Sequence, residues 1–248
     1  MTRSNYWSPV ESQWRAENLI KIEPFLAVTI RTHDMVARIA QHSEILNAPS
    51  SNQLKVERLL LRRLGEELRA LELLAENGHG YQAVSAASNL FEQCYFLTYI
   101  SLDSRRAETF LTWDKPYANI MNIKRLLEET GARYCKDKKS IEEEYNKYRL
   151  LCGFKHNNAL FQKFLTLPNP DLLLSQFALA HGNWLVLTTI ALYAEARLTR
   201  KSFCLELDTV DALTNKASAL FSFLPNLLTL QQAVRAYSSK ECGRGKNQ

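Results

Sequence analysis

The chain has 248 residues, of which 46% are hydrophobic and 23% are charged, and its formal net charge is +5. A chain of this length and apolar content can bury a sizeable core. Its positive charge is mixed along the sequence and lacks the dense basic cluster of a dedicated nucleic-acid binder, so it permits a polyanionic partner without requiring one. Glycine and proline are scarce, with 8 and 7 residues, and the strong helix formers are abundant, which predicts an all-α fold.

The cysteines and the apolar segments indicate the cellular environment that we expect. The five cysteines stand singly, at positions 94, 135, 152, 204 and 242, and no two have a bridge-like spacing. We therefore expect reduced thiols. The first residues lack the apolar core of a signal peptide, and the longest apolar run, Trp184 to Ala194, is too short to span a bilayer. These features predict a cytoplasmic protein without a membrane association, and nothing in the sequence calls for a cofactor.

The N-terminal segment is predicted to contain two helices. Ser8 and Pro9 form a helix start, Pro24 is expected to break or kink that helix, and a second one is expected to cover residues 25–46. Residues 47–52 have the composition of a linker. We therefore divide the chain into an N-terminal helical extension (residues 1–50), a helical bundle (51–238) and a disordered tail (239–248).

Leucine periodicity predicts the strongest pair of helices. Leucines recur at steps of three and four residues over positions 53–77, and Gly78 then stands where a glycine C-cap is expected. The next helix is predicted over residues 81–102. It begins with small side chains, which would allow it to pack closely and antiparallel to the helix before it.

Further helices are predicted over residues 117–129, 171–199, 208–223 and 226–237, and another one is predicted to begin at Ser140. Ser140 and Glu143 match a capping box, and the acidic run 142–144 suits the positive end of a helix dipole. Asn169 is expected to cap the helix over 171–199. His181, within that apolar helix, is interpreted as a core histidine with its hydrogen bonds satisfied.

One stripe of the helix that begins near Ser140 carries the candidate chemistry. At about 100° per residue, Tyr145, Arg149, Cys152 and His156 fall on a single stripe. Arg149 and His156 are two turns apart, so their side chains are expected about 10 Å from each other. The other faces of this helix are largely apolar, and a cation and an imidazole on a buried helix need partners or a cleft.

An arginine followed by a histidine on such a helix resembles the signature of the HEPN superfamily of small helical proteins. The segment is most similar to a branch of bacterial HEPN-like proteins with the pattern Tyr, two residues, Leu, Ser, three residues, His; here it contains Tyr148, Leu151, Cys152 and His156. The upstream run from Leu90 to Glu92 adds to the likeness, which covers about residues 52–200. Leu150 and Cys152 depart from the pattern, since a polar residue and a serine are usual there.

The resemblance implies an antiparallel bundle that forms a homodimer and acts as a metal-independent endoribonuclease of a toxin–antitoxin or phage-defence system. Its partners would be RNA and an antitoxin or another defence-system protein. Arg149 would hold the phosphate, and His156 would serve as general base or acid. The remaining site residues would be Lys155, Asn157 and Asn158 for substrate binding, with Glu92, Tyr145 and Tyr148 in support.

Two other interpretations of the same residues stay open. Arg149 could pair with a buried carboxylate such as Glu92 and His156 with a backbone carbonyl, in a non-catalytic module that binds a partner protein or a nucleotide. Cys152 and His156 have the spacing of half a zinc site, but no second pair of ligands accompanies them, so no metal is expected. The sequence has neither a glycine-rich phosphate loop nor a serine-centred nucleophile elbow.

Overall fold

The computed structural model of the chain describes residues 9–112, 122–134, 136–155 and 169–222. All of the regular secondary structure in these ranges is helical, which confirms the all-α prediction. The α-helices are α1 (Pro9–Ala40), α2 (Ser43–Leu46), α3 (Asn52–Glu76), α4 (Gly80–Leu102), α5 (Ser104–Leu111), α6 (Ile123–Thr130), α7 (Lys138–Lys155), α8 (Pro170–Arg197) and α9 (Arg200–Ser222), and a 3₁₀ turn at Gly131–Tyr134 separates α6 from α7.

Helices α3 and α4 form the predicted antiparallel hairpin. The amide of Gln53, at the start of α3, donates a hydrogen bond to the carbonyl oxygen of Ile100, at the end of α4, over 2.8 Å. The leucines that repeat along α3 are buried. The α3 stripe therefore packs on α4 as its periodicity predicts.

Gly78 closes α3 in the manner that the sequence predicts. Its φ angle is +79°, in the left-handed region that glycine adopts without a steric penalty. The N–H of Gly78 donates to the carbonyl of Ala75 at 3.3 Å, and that of His79 donates to Leu74 at 2.9 Å. These two bonds form a Schellman motif.

Helix α8 lies at the centre of the bundle and packs against α1, α3, α4 and α9. Its start lies directly against the start of α4, where the Asp171 carboxylate accepts hydrogen bonds from the backbone N–H groups of Gly80 and Tyr81. A Cβ atom on Gly80 would lie 2.2 Å from the carbonyl oxygen of Asp171, so this approach requires glycine.

The apolar character of α8 is explained by this central position. Helix α8 is longer than the Trp184 to Ala194 run and is long and apolar enough to cross a bilayer, but 78% of its most apolar window is buried inside the fold. Other helices of the same chain therefore cover most of the apolar surface of α8. The homodimer itself stays a prediction.

The prediction that Pro24 separates two helices is wrong, since α1 continues through it from Pro9 to Ala40. Proline removes one backbone hydrogen bond from a helix interior, and its ring crowds the preceding turn. The Pro24 ring is exposed, while Ile22 and Phe25 beside it are buried. Burial of the same helix face on both sides of the proline offsets the local cost.

The N-terminal residues share the core with the bundle. Helix α1 packs against α3 and α8, and the buried side chains of all three belong to one hydrophobic cluster. The predicted domain limits at residues 50 and 238 are not tested by this packing and stay predictions.

The start of α9 and the N-terminal cap of α8 differ from the predicted ones. Helix α9 begins at Arg200 instead of Asp208, because the carbonyl of Thr199 accepts the N–H of Phe203 over 2.9 Å and so opens the helix earlier. Asn169 precedes α8 but is not a side-chain cap: it has left-handed φ and ψ angles, and its amide donates to Asn18 over 2.7 Å. The predictions for residues 1–8, 117–121, 226–237 and 239–248 fall outside the described residues.

Alanine substitutions at two glycines test this account of the α3 terminus. Gly78→Ala should lower the free energy of unfolding by about 1–3 kcal/mol, because the residue would be held at a strained φ and its Cβ would lie 2.6 Å from the Trp14 ring. Gly65→Ala is the matched control, since its Cβ would meet only ordinary contacts at 3.8 and 3.9 Å. Helix propensity should make this control neutral or stabilising. Equal effects of the two substitutions in urea denaturation would contradict the assignment.

Candidate functional site on helix α7

Helix α7 begins two residues earlier than predicted. Its first residue is Lys138, and the N–H of Ser140 donates to Oδ1 of Asp137 over 2.8 Å. Asp137 is therefore the N-cap, and the predicted Ser140 capping box is wrong. The hydrogen bonds from Ser140 lower the pKa of the Asp137 carboxyl. A carboxylate accepts from N–H groups more strongly than a hydroxyl does, which favours Asp137 at this position.

The described part of the predicted stripe is a partly exposed face of α7. Tyr145, Arg149 and Cys152 all lie between the buried and the exposed classes. The guanidinium carbon of Arg149 is 5.9 Å from the centroid of the Tyr145 ring, a cation–π distance. His156, Asn157 and Asn158 lie outside the described residues, so the predicted Arg149–His156 pairing stays a prediction.

A second cation, Lys124 of α6, approaches the same ring. Its Nζ atom is 5.6 Å from the Tyr145 centroid and 3.0 Å from the Glu142 carboxylate. The hydrogen bond and the charge of Glu142 raise the pKa of Lys124. Lys124 was not predicted as a site residue, because only the packing of α6 on α7 brings it to this face.

The structure brings two of the predicted supporting residues together. The Tyr148 hydroxyl donates to Oε1 of Glu92, on α4, over 2.7 Å, and the Tyr148 ring lies 5.1 Å from that of Phe91. Burial, with the hydrogen bonds to Cys152 and Glu92, raises the pKa of Tyr148 far above its ordinary value. The phenol is therefore protonated at neutral pH and remains a hydrogen-bond donor.

Lys155, at the end of α7, also contacts α4. Its ammonium group is exposed and donates to the side-chain oxygen of Asn89 over 3.2 Å. The Lys155–Asn89 and Tyr148–Glu92 hydrogen bonds are thus two polar contacts between α4 and α7.

We call the surface formed by Lys124, Tyr145, Arg149, Tyr148, Glu92 and Lys155 the α7 polar face. Its side chains can bind a phosphate, stack on a planar ring and donate hydrogen bonds.

Helix α7 also carries a buried carboxylate, that of Glu144. Glu144 is 1% exposed, and its Oε2 atom accepts from Lys136 over 2.7 Å and from Lys147 over 3.3 Å. Glu144 was predicted only as one member of an acidic run that suits the helix dipole, and its burial was not predicted. The signal was present in the spacing, because Glu144 stands seven residues before Leu151 and ten before Phe154, which are buried on the same side.

His181 of α8 contacts this buried carboxylate. Its ring is 4% exposed, lies 5.8 Å from Phe177 and 6.4 Å from Phe91, and has its Nε2 atom 4.0 Å from Oε1 of Glu144. Neither ring nitrogen has a hydrogen-bond partner among the described residues. The prediction of a core location is correct, but the predicted hydrogen bonds are not present in that part of the chain.

Burial and charge set the protonation of this cluster. Burial lowers the pKa of His181 to about 4, so the imidazole is neutral at neutral pH. Burial alone would raise the pKa of Glu144, but the charges of Lys147, His181 and Lys136 lower it. Since His181 is itself neutral near pH 7, we attribute the ionised state of Glu144 to the two lysines.

The described ranges contain no candidate metal site. No group of three or more His, Cys, Asp or Glu side chains there is arranged to hold a metal ion, and Cys94, Cys152 and Cys204 are free thiols. Comparison with protein-family models, with curated proteins and with solved structures finds no match to this chain. The interpretation of the α7 polar face therefore depends on its geometry and on the sequence resemblance.

Glu144→Gln tests the buried charge. It should lower the free energy of unfolding by about 3–5 kcal/mol, because removal of one partner leaves an uncompensated lysine ammonium in a largely buried place. Glu142→Gln is the matched control, since its ion pair with Lys124 is about half exposed and should contribute at most about 1 kcal/mol. Equal losses in chemical denaturation would contradict the difference that we assign to burial.

The acid stability of the fold should depend on His181. Its pKa is about 4 in the folded chain and about 6.5 when unfolded, so the unfolded state binds more protons between these values. The contribution is present above about pH 6.5 and is lost as the pH falls towards 4, a loss of about 3 kcal/mol.

His181→Phe keeps a ring in the same aromatic environment and removes the titration. The free energy of unfolding of this variant should therefore fall less between pH 7 and pH 4 than that of the wild type. Parallel pH profiles for the two proteins would show that His181 is not the group responsible.

Proposed function

We propose that the chain is a metal-independent, RNA-cleaving effector of a toxin–antitoxin or phage-defence system, with its site on the α7 polar face. In this proposal Arg149 and His156 are the catalytic residues, and RNA is the substrate. The protein acts as a homodimer in which two such sites face each other, and an antitoxin or another defence-system protein is its natural partner.

The observation that carries the proposal is that two cations lie close to the aromatic ring of Tyr145. The Arg149 guanidinium carbon lies 5.9 Å and the Lys124 ammonium 5.6 Å from the ring centroid, and all three side chains are partly exposed. Proteins that bind single-stranded nucleic acid combine aromatic side chains, on which bases stack, with nearby positive charge for the backbone. The same arrangement suits a single-stranded RNA segment here.

The chemistry that we propose needs no cofactor. A base removes the proton of a ribose 2′-hydroxyl, the 2′-oxygen forms a bond to phosphorus, and the bond to the 5′-oxygen breaks. The products are a 2′,3′-cyclic phosphate and a 5′-hydroxyl, which receives its proton from an acid. His156 serves as base or acid, and Arg149 compensates the charge on the phosphorane with two N–H groups.

The other polar residues of the face would position the substrate. Lys155, Asn157 and Asn158 would contact phosphates on either side of the scissile bond. The hydroxyl of Tyr148 donates a hydrogen bond to Glu92 over 2.7 Å, which fixes the rotamer of Tyr148 next to Arg149. These are supporting roles, because neither Tyr148 nor Glu92 is required to gain or lose a proton.

A second candidate is a non-catalytic helical module that binds a partner protein or a nucleotide. It is favoured by the contacts of Tyr148 with Glu92 and of Lys155 with Asn89, which are hydrogen bonds of the kind that hold two helices together. In this case the α7 polar face would be a structural seam whose cations bind a ligand without reacting.

Expression of the protein in bacteria separates the two candidates. The ribonuclease proposal predicts growth arrest and RNA cleavage by the purified protein, with and without EDTA. His156→Ala should reduce cleavage by about 10² to 10⁴, the usual cost of losing a general acid or base. Arg149→Ala should also strongly reduce cleavage, and Arg149→Lys should not restore it, because an ammonium group lacks the planar fork.

The matched control is Arg63→Ala, which removes an exposed arginine from α3 and should leave cleavage unchanged. Each variant should melt within a few degrees of the wild type, so that loss of activity is not loss of fold. A purified protein that leaves total RNA and tRNA intact, and whose His156→Ala variant melts well below the wild type, would contradict the ribonuclease and support the module.

A further inference from the structure

A small cavity lies where α7, α8 and α9 meet. Its volume is about 170 Å³, and it is lined by Lys147, His181, Trp184 and Ser218. Lys147 comes from α7, His181 and Trp184 from α8, and Ser218 from α9. A cavity of this size exceeds the roughly 150 Å³ that holds a benzene molecule in an engineered protein core.

His181 is a buried polar side chain in the wall of this cavity. The ring is held by its stacking on Phe177, is 4% exposed, and has no hydrogen-bond partner for either nitrogen among the described residues. Buried polar groups in folded proteins are nearly always paired, because an unpaired one carries its full desolvation cost. A ring in this state at a cavity wall is suited to a ligand that supplies the missing hydrogen bond.

The charges around the cavity favour an anion. Lys136 and Lys147 bring two positive charges to the single negative charge of Glu144, and His181 is neutral because burial lowers its pKa to about 4. The cluster therefore has one net positive charge; the side chain of Lys136 is 12% exposed, and that of Lys147, which lines the cavity, is 44% exposed. A bound monoanion would neutralise the cluster.

The remaining wall favours a flat, unsaturated ligand. The indole of Trp184 is partly exposed and lines the cavity, and the Lys136 ammonium lies 5.5 Å from its ring centroid. Planar rings pack on an indole in offset or tilted arrangements at a gain beyond their buried area.

We propose that this cavity binds a small aromatic monocarboxylate of about the size of benzoate. The carboxylate pairs with the Lys147 ammonium, a carboxylate oxygen accepts from the His181 imidazole, and the ring packs on Trp184. The Ser218 hydroxyl, at the exposed side of the cavity, donates a further hydrogen bond.

This site is independent of the proposed RNA-cleaving site. Lys147 and Arg149 are two residues apart on α7, so they project about 160° away from each other around the helix axis. Binding of a carboxylate at Lys147 therefore requires neither His156 nor any activity on RNA.

The test uses sodium benzoate as the probe and benzamide as its neutral isostere, with sodium acetate at equal concentration to control for ionic strength. Isothermal titration calorimetry and thermal melting of the full chain measure binding, because a ligand that binds only the folded state raises the melting temperature. Benzoate should bind saturably with one site per chain, and acetate and benzamide should bind at least roughly tenfold more weakly.

Three variants locate the site. Lys147→Met should weaken benzoate binding by roughly tenfold to a hundredfold, because it removes a charged hydrogen-bond donor. Lys139→Met removes an exposed lysine from the same helix and should leave the affinity unchanged. Ser218→Phe fills the cavity from its exposed side without changing a buried residue, and it should abolish binding while the protein stays folded.

Absence of binding by benzoate would overturn the proposal, and so would equal affinities for benzoate and benzamide. Equal losses in the Lys147→Met and Lys139→Met variants would also overturn it, because they would indicate a general charge effect. Retention of binding by Ser218→Phe would place the ligand elsewhere.

Discussion

The burial of one carboxylate, that of Glu144, is the constraint on which the position of α7 depends. An ionised carboxyl group cannot be buried without partners, because its desolvation costs several kcal/mol. Two lysines supply these partners. Lys136 lies just before α7 and is 2.7 Å from the carboxylate, and Lys147 lies one turn after Glu144 and is 3.3 Å from it. The pair with Lys136 also fixes how the chain enters α7 from the 3₁₀ turn, and the contact with His181 ties α7 to the central helix.

A fixed rotation of α7 has a consequence for the rest of the helix. With Glu144 directed inward, Leu151 and Phe154 pack in the core, and Tyr145 and Arg149 are turned to a partly exposed face beside α6. The same rotation directs Tyr148 to Glu92 on α4. The α7 polar face, on which we propose RNA cleavage, and the cavity beside Lys147, where we propose carboxylate binding, therefore both depend on this rotation of α7.

Local patterns made much of the fold predictable. The leucine repeat of α3 and the C-terminal cap at Gly78 depend on residues close to them in the sequence. Periodicity and capping rules therefore predict this helix and its end correctly. Pro24 misled the prediction, since its cost to α1 is local while the burial of Ile22 and Phe25 that offsets it comes from other helices. The early start of α9 at Arg200 was missed because the hydrogen bond that opens this helix joins two backbone groups, those of Phe203 and Thr199. Such a bond leaves no side-chain pattern in the sequence.

The candidate site was only partly predictable for the same reason. The stripe of Tyr145 and Arg149 follows from helix geometry alone, but the approach of Lys124 depends on how α6 packs on α7. The neighbours of His181 in the sequence are largely apolar. None of them indicates that the carboxylate of Glu144, 37 positions earlier in the chain, lies 4.0 Å from the His181 ring. Contacts between residues that are far apart in the sequence can be identified only from the tertiary structure.

A double-mutant cycle between Lys136 and Glu144 tests the central claim most directly. The free energies of unfolding of the wild type, Lys136→Met, Glu144→Gln and the double variant are measured by chemical denaturation under identical conditions. If the buried pair orients α7, the two residues should be coupled by about 1–3 kcal/mol, and the double variant should be more stable than the sum of the single losses predicts. Losses that add within about 0.5 kcal/mol would contradict the account, because they would mean that Lys136 does not compensate the buried charge.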